Sequence, residues 1–221
     1  MNFLEIAKRV SKECGVSGDG PTSVAAQTGM NAKVVNWVRD AFNEIQGTNE
    51  QWDFDWAVAT LPLVAGKERY DPVGDWGLDL RSFVKRGTYV YRSVDGPQAK
   101  HWPSFVTWQE FRQMRLPDVR GIPAYACVAP DGALFMYPAP DDGITAVVEY
   151  FREPQVLAEN LDVPRLPVSY HMAIVWRAVM FFCTSEDNPA LLQSASLNYR
   201  NIMRRLSVLE LPDFAEPEPL A

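Results

Sequence analysis

The chain has 221 residues, 47% of them hydrophobic, and a formal net charge of −7. That is enough apolar material for one folded domain or two small linked units. The acidity counts against a free DNA-binding protein, whose phosphate contacts need positive charge, and no run of about 18 apolar residues is present to span a membrane.

The opening MNFLEIAKRVSKECG is charged throughout and has no signal-peptide core. Phe3, Ile6, Ala7 and Val10 recur at helical spacing and predict a short first helix. Three glycines and a proline between Gly15 and Pro21 then break it. The next stretch, TSVAAQTGMNAKVVNWVRDAF from Thr22 to Phe42, has the outline of a helix-turn-helix. Ala25, Gly29 and Val35 stand where such a unit wants a close contact, a turn and a core residue. A DNA reader would present Asn31, Ala32, Lys33 and Asn36 to base edges. The competing reading is a packing corner between two helices, favoured by Asp40 and Glu44, which would repel phosphate. Val34, Val35, Val38, Ala41, Phe42 and Ile45 form one apolar stripe, predicting a helix from about Asn31 to Gln46, capped by Asn31 and ended by Gly47.

Residues 52–153 read as strands. VATLPLVA, GTYVYRSV, PAYACVA, ALFMYP and ITAVVEYF are short runs rich in Val, Tyr, Phe and Ile. Asp131-Gly132 signals a hairpin, and Asp141-Asp142-Gly143 a turn. A short helix over Trp108 to Met114 interrupts them. The links are too short for most parallel crossovers, so antiparallel pairing is expected. Helices resume from Ser169 to about Thr184 and from Pro189 to about Leu209, with Asn188-Pro189 starting the second. Met172, Val175, Trp176, Val179, Met180 and Cys183 form a face of the first; Leu192, Ala195, Tyr199, Ile202 and Leu206 form a face of the second. The short break predicts an antiparallel helical hairpin. The tail LPDFAEPEPLA is acidic and rich in proline, and it predicts an extended or disordered arm.

The resulting expectation is an α+β fold. Helices from both chain ends, 1–50 and 165–209, form a bundle; an antiparallel β-rich region, 52–153, is inserted between them; and 210–221 is an arm.

Catalytic chemistry finds little support. Cys14, Cys127 and Cys183 are odd in number and widely spaced, so free thiols are expected. His101 and His171 lie in no metal-ligand spacing. The Gly18-Asp19-Gly20 turn lacks the rest of a phosphate loop. Asp53 and Asp55, two apart on a strand, would share a face and suit cation binding or acid-base work; solvated edge residues are the plainer reading. The aromatic residues of the middle region would fill a core, dock a protein or stack on sugars, according to which way Trp102, Phe105 and Trp108 point.

Three stretches together resemble a known family. They are AKVVNWVRDAFNEIQ followed by WDFDWA; GIPAYACVAPDGALFMYPAPDDGITAVVEYFREPQVL; and DVPRLPVSYHMAIVWRAVMFF. They are similar to the head-tail connector, or neck adaptor, proteins of tailed bacteriophages, over most of the chain from near Phe3 to about Leu206. The matching positions are Trp37, Ile45, Trp52, Pro138, Pro140, Tyr150 and Leu166 to His171, all carried over as packing positions. The resemblance implies a non-enzymatic virion protein, a helical body with a β-rich insertion, and no cofactor. It implies a location in the neck between capsid and tail, after synthesis in the bacterial cytoplasm. There it would form a ring of about twelve copies, a dodecamer, beneath the portal. Implied partners are the portal ring, neighbouring copies and the next neck or tail-completion protein, with genomic DNA passing through unread and no membrane involved. An acidic inner surface would let that DNA slide. As candidate contacts with the portal or with neighbouring subunits we take Phe214, Pro212 and Pro217 in the arm, Leu206 and Tyr199 in the last helix, and Trp102 and Trp108 in the β-rich region. The alternatives are a carbohydrate- or host-surface-binding module, a helix-turn-helix DNA-binding protein, and a hydrolase built on Asp53 and Asp55.

Overall fold

A computed structural model describes residues 1–16 and 18–211. The arm residues Pro212, Phe214 and Pro217 lie outside them. In chain order come helices α1 (Phe3–Glu13) and α2 (Gly29–Gly47), then strands β1 (Trp56–Pro62), β2 (Arg69–Tyr70), β3 (Leu80–Phe83), β4 (Tyr89–Arg92) and β5 (Ser104–Phe105). Helix α3 (Trp108–Met114) is followed by β6 (Arg120–Gly121), β7 (Tyr125–Val128), β8 (Leu134–Tyr137), β9 (Ala139–Pro140) and β10 (Ile144–Arg152). Helices α4 (His171–Ser185) and α5 (Pro189–Glu210) follow. The fold is α+β, with two compact units: Met1–Asp55 together with Pro154–Ala221, and Trp56–Glu153.

In the helical unit, α4 is the central element and packs against α1, α2 and α5. Its sequence explains that place. Ala173, Ile174, Val175, Ala178, Val179, Phe182 and Cys183 are all buried and occupy more than one side, as a helix surrounded by neighbours requires. The expected single face of α4 is therefore too narrow: Met172, Trp176 and Met180 are only half-buried. Helix α1 opens with a capping box, in which Asn2 accepts from the Glu5 amide and Glu5 accepts from the Asn2 amide. Phe3, Ile6, Ala7 and Val10 are fully buried, as their spacing predicted. The turn from α4 to α5 runs through Asp187, at φ 52°, and the Asn188 side chain accepts from the Leu191 amide to start α5.

The helix-turn-helix outline does not survive. Residues 22–28 contain no helix, and Ala26 sits at φ 54°. Only α2 occupies the stretch, and its apolar stripe lies in the core. It begins two residues before Asn31, at Gly29; Thr28 stands at the N-cap without a side-chain bond. Its end is made by Thr48 and Trp52, whose Oγ1 and Nε1 donate to the Ile45 carbonyl at 2.7 and 3.1 Å. Those bonds satisfy an end-of-helix acceptor, a task the sequence reading gave to Gly47.

The inserted unit has two four-stranded sheets. In the first, β10 is central: β1 pairs along one edge, with Trp56 opposite Phe151 and Pro62 opposite Thr145. The other edge is shared by β4, opposite Ile144–Val147, and β3, opposite Tyr150–Arg152. The second sheet runs β2-β8-β7-β5. Leu134, Met136, Ala126, Ile144, Ala146, Val148 and Val90 make the core of the unit. Gly132, at φ 82°, completes the expected turn between β7 and β8, where the Asp131 carboxylate accepts from the Ala133 amide at 3.2 Å. Antiparallel pairing dominates, with two exceptions: β5 with β7 and β6 with β9 pair in parallel over two residues each. Such short pairings need only a returning loop and not the long crossover of a full parallel ladder.

Candidate assembly surfaces

Asp53 and Asp55 lie in a 3-10 turn, not on a strand, so they share no face. Asp53 is exposed, whereas Asp55 is buried beside Arg165 at 3.3 Å. Among the described residues no group of three His, Cys, Asp or Glu side chains could hold a metal ion, and no helix is long and apolar enough to cross a membrane.

His171 opens α4 and is fully buried. The Leu166 carbonyl, 2.8 Å from Nε2, can only accept, so Nε2 carries the proton. Nδ1 then accepts from the Met1 amino group at 2.9 Å. Burial pushes the imidazole below its ordinary pKa. The unfolded chain therefore takes up this proton first, near pH 6.5. Stability is complete above that value and is lost as pH falls toward the lower folded pKa. Thermal unfolding between about pH 7 and 5 should show a shallower acid loss for His171→Gln than for the native chain. Equal slopes would exclude His171 as the source.

Three surfaces of the two units stand out. The first is the segment 154–168, which has no regular element before its last residue yet is tightly held. Gln155 and Gln46 exchange amide bonds, Gln155 N–H to Gln46 Oε1 at 2.7 Å and Gln46 Nε2 to the Gln155 carbonyl at 3.1 Å. Arg39 Nε reaches the Leu157 carbonyl at 3.1 Å. The amides of Phe3 and Leu4 donate to the carbonyls of Asp162 and Asn160 at 2.7 and 3.2 Å. Asp162 accepts from the amides of Ala158 and Glu159, and these bonds hold its carboxyl below the usual range. Anchored in this way to α1 and α2, the segment leaves Val156 and Leu161 75% and 78% exposed, with Val163 and Val168 also in solvent.

The second surface is the outer side of α5. Ala195, Leu206 and Glu210 are buried against the unit, so the candidate Leu206 is a core residue with no surface to offer a partner. Candidate Tyr199 is half-buried beneath the Arg177 guanidinium, which also pairs with Glu44 at 2.7 Å. The opposite side carries Leu197, Arg204 and Val208 at i, i+7 and i+11, one ridge of the helix. Arg200 and Arg205 flank it, and none of the three arginines has an ion-pair partner among the described residues.

The third surface is the outer side of the first sheet. Val147 of β10 lies opposite Thr60 on one strand and Tyr89 on the other, so the three share a face. Candidate Trp102 packs on Tyr89 at 5.1 Å between ring centroids and remains 56% exposed. Lys100 Nζ lies 4.4 Å over the Tyr89 ring. Trp56 and Val58 of β1 are also exposed. Candidate Trp108 behaves otherwise: it is half-buried, packed on Phe111 and Phe135 in a small second cluster. The aromatic residues thus divide, Phe105 and Trp108 inward and Trp102 outward. The exposed aliphatic residues of 154–168 and the arginine ridge of α5 escaped the sequence reading, the first because irregular backbone has no period. The ridge was visible as Leu197, Arg204 and Val208 at helical spacing.

A family model described as SU10 adaptor protein matches residues 1–215. The chain belongs to the SU10 adaptor family. Comparison with curated proteins gave no match. The adaptor is a structural, non-enzymatic head-tail connector of a tailed bacteriophage, assembling as a ring beneath the portal, extending the DNA channel and docking the next neck or tail component. It sits in the virion neck, and its partners are portal and tail components and further copies of itself.

Proposed function

We propose that the adaptor is made in the bacterial cytoplasm and closes into a ring of about twelve copies on the portal. In this reading the helical unit, Met1–Asp55 with Pro154 onward, supplies the contacts within the ring. The tail residues Pro212, Phe214 and Pro217 reach the portal. The inserted unit receives the next neck or tail-completion protein on the outer side of its first sheet, with Trp102 as an anchor. Genomic DNA passes without sequence recognition, consistent with the net charge of −7.

The observation that carries this reading is the exposed Trp102 on Tyr89, beside a sheet face that also shows Trp56 and Val58. Aromatic residues left in solvent on an otherwise filled unit mark a protein-docking surface. A sugar platform is less favoured, because Lys100 already lies over the Tyr89 ring and Trp102 packs on it at a tilt of 53°.

Light scattering after size exclusion tests the assembly. The adaptor mixed with its portal ring should add the mass of about twelve copies. Removal of residues 212–221 should abolish that addition while leaving the helical circular dichroism intact, since Leu211 still packs on the helical core. Unchanged loading of the truncated chain would exclude the tail, and no loading of the full chain on an intact portal would exclude the ring.

A further inference from the structure

Two surfaces of the helical unit match each other better than either matches solvent. The outer face of α5 combines Leu197 and Val208, exposed by 52% and 80%, with Arg200, Arg204 and Arg205. The 154–168 segment combines Val156, Leu161, Val163 and Val168 with Glu159 and Asp162. Both surfaces are aliphatic, and their charges are opposite. Three arginines on and beside one ridge, with no ion-pair partner among the described residues, are out of character for a chain with 28 acidic and 21 basic residues.

The two surfaces also occupy different places on the unit. Helix α5 packs on α4, whereas the segment is hydrogen-bonded to α1 and α2, which pack on α4 as well. A ring closed by head-to-tail contacts needs two different faces on every subunit, each complementary to the other. A face paired with itself would give a dimer and stop.

Resting on the ring reading above, we infer that the subunit contact joins the outer face of α5 of one copy to the 154–168 segment of the next. Leu197 and Val208 meet Val156 and Leu161, while the arginines of the ridge meet Glu159 and Asp162. Both faces are already built: one is a helix and the other is fastened by backbone hydrogen bonds. Little ordering is needed on contact, which lowers the entropic cost of association. The opposite charges set the orientation and penalise the two like-with-like pairings, ridge on ridge and segment on segment.

The test is cross-linking on the portal-loaded, full-length adaptor. Leu161→Cys and Val208→Cys are made singly and together, then treated with a short bismaleimide. The native thiols interfere little: Cys127 and Cys183 are buried, and burial pushes the half-buried Cys14 up to about 12. The double variant should give a ladder of covalent multimers, and each single variant should stay monomeric on a denaturing gel. A monomeric double variant in a ring of normal mass would overturn the contact. Dimers from either single variant would overturn it too, because they require a face paired with itself.

A charge exchange gives an independent reading. Arg204→Glu should weaken ring loading roughly tenfold or more, and adding Glu159→Arg to the same chain should recover most of it. If the ridge instead grips passing DNA, Arg204→Glu loads normally, which also overturns the inference. Failure of the native chain to load on an intact portal would defeat the ring reading and this contact with it. Failure of the variants alone to cross-link defeats only the contact.

Discussion

Replacing Trp52 with alanine should lower the unfolding free energy of the helical unit by about 3–5 kcal/mol. The indole is 2% exposed and lies just beyond the end of α2. It stacks on Phe54, with 5.5 Å between centroids and 18° between planes, and donates from Nε1 to the Ile45 carbonyl. Alanine removes the filler, the stacking partner and the donor at once. Trp52→Phe separates these effects. It keeps most of the packing, and Ile45 retains the Thr48 hydroxyl at 2.7 Å, so the loss should be nearer 1 kcal/mol. Guanidinium unfolding followed by helical circular dichroism measures both. An alanine variant within 1 kcal/mol of the native chain would refute the assignment of Trp52 as a keystone of the α2 terminus.

A comparable loss, about 3 kcal/mol, is expected from Asp55→Ala. The Asp55 side chain is 4% exposed and that of Arg165 is 18% exposed, so the deletion takes one close carboxylate from a largely desolvated guanidinium. Water at the edge of Arg165 keeps the figure near the lower end of the range for buried pairs. The cost comes from desolvation of Arg165 that the lost carboxylate no longer offsets. The double change Asp55→Leu with Arg165→Met should therefore be more stable than Asp55→Ala alone. If the losses from Asp55→Leu and Arg165→Met measured singly simply add in the double variant, the pair is not coupled and the account is wrong.

Most of the fold was legible because its signals are local. The stripes of α1 and α2, the helix at Trp108–Met114, Asn188-Pro189 and the Asp131-Gly132 turn each reduce to a few neighbouring residues with one physical preference. The losses are where distant parts of the chain decide. Asp55 reads as a solvated edge residue until Arg165, far along the chain, comes beside it. The Thr22–Thr28 stretch has helix-turn-helix spacing, but its residues give their bonding capacity to Asn160 instead of to a helix: the Val24 amide and Ser23 hydroxyl both go to that side chain. Strands of two residues, such as β6 and β9, are too short to show any alternation. Of the candidate contacts, Trp102 lies on open surface and Leu206 in the core, a distinction that depends on which side of an element meets its neighbours and not on residue type.

The adjacency of β1 and β10 governs how the chain is made. β1 pairs with β10 along its whole length, with Trp56 opposite Phe151, so the insertion leaves its sheet beside the place where it entered. On the ribosome, α1 and α2 emerge before the insertion, carrying Phe3, Ile6, Val38 and Phe42 without the central helix that completes their cover. Their central partner, α4, begins only at His171. At ordinary rates of translation the wait is on the order of ten seconds. The inserted unit, contiguous in sequence, can finish during that interval. The helical unit is therefore the last part of the molecule to be completed, and a chain released early lacks the helices that close its core.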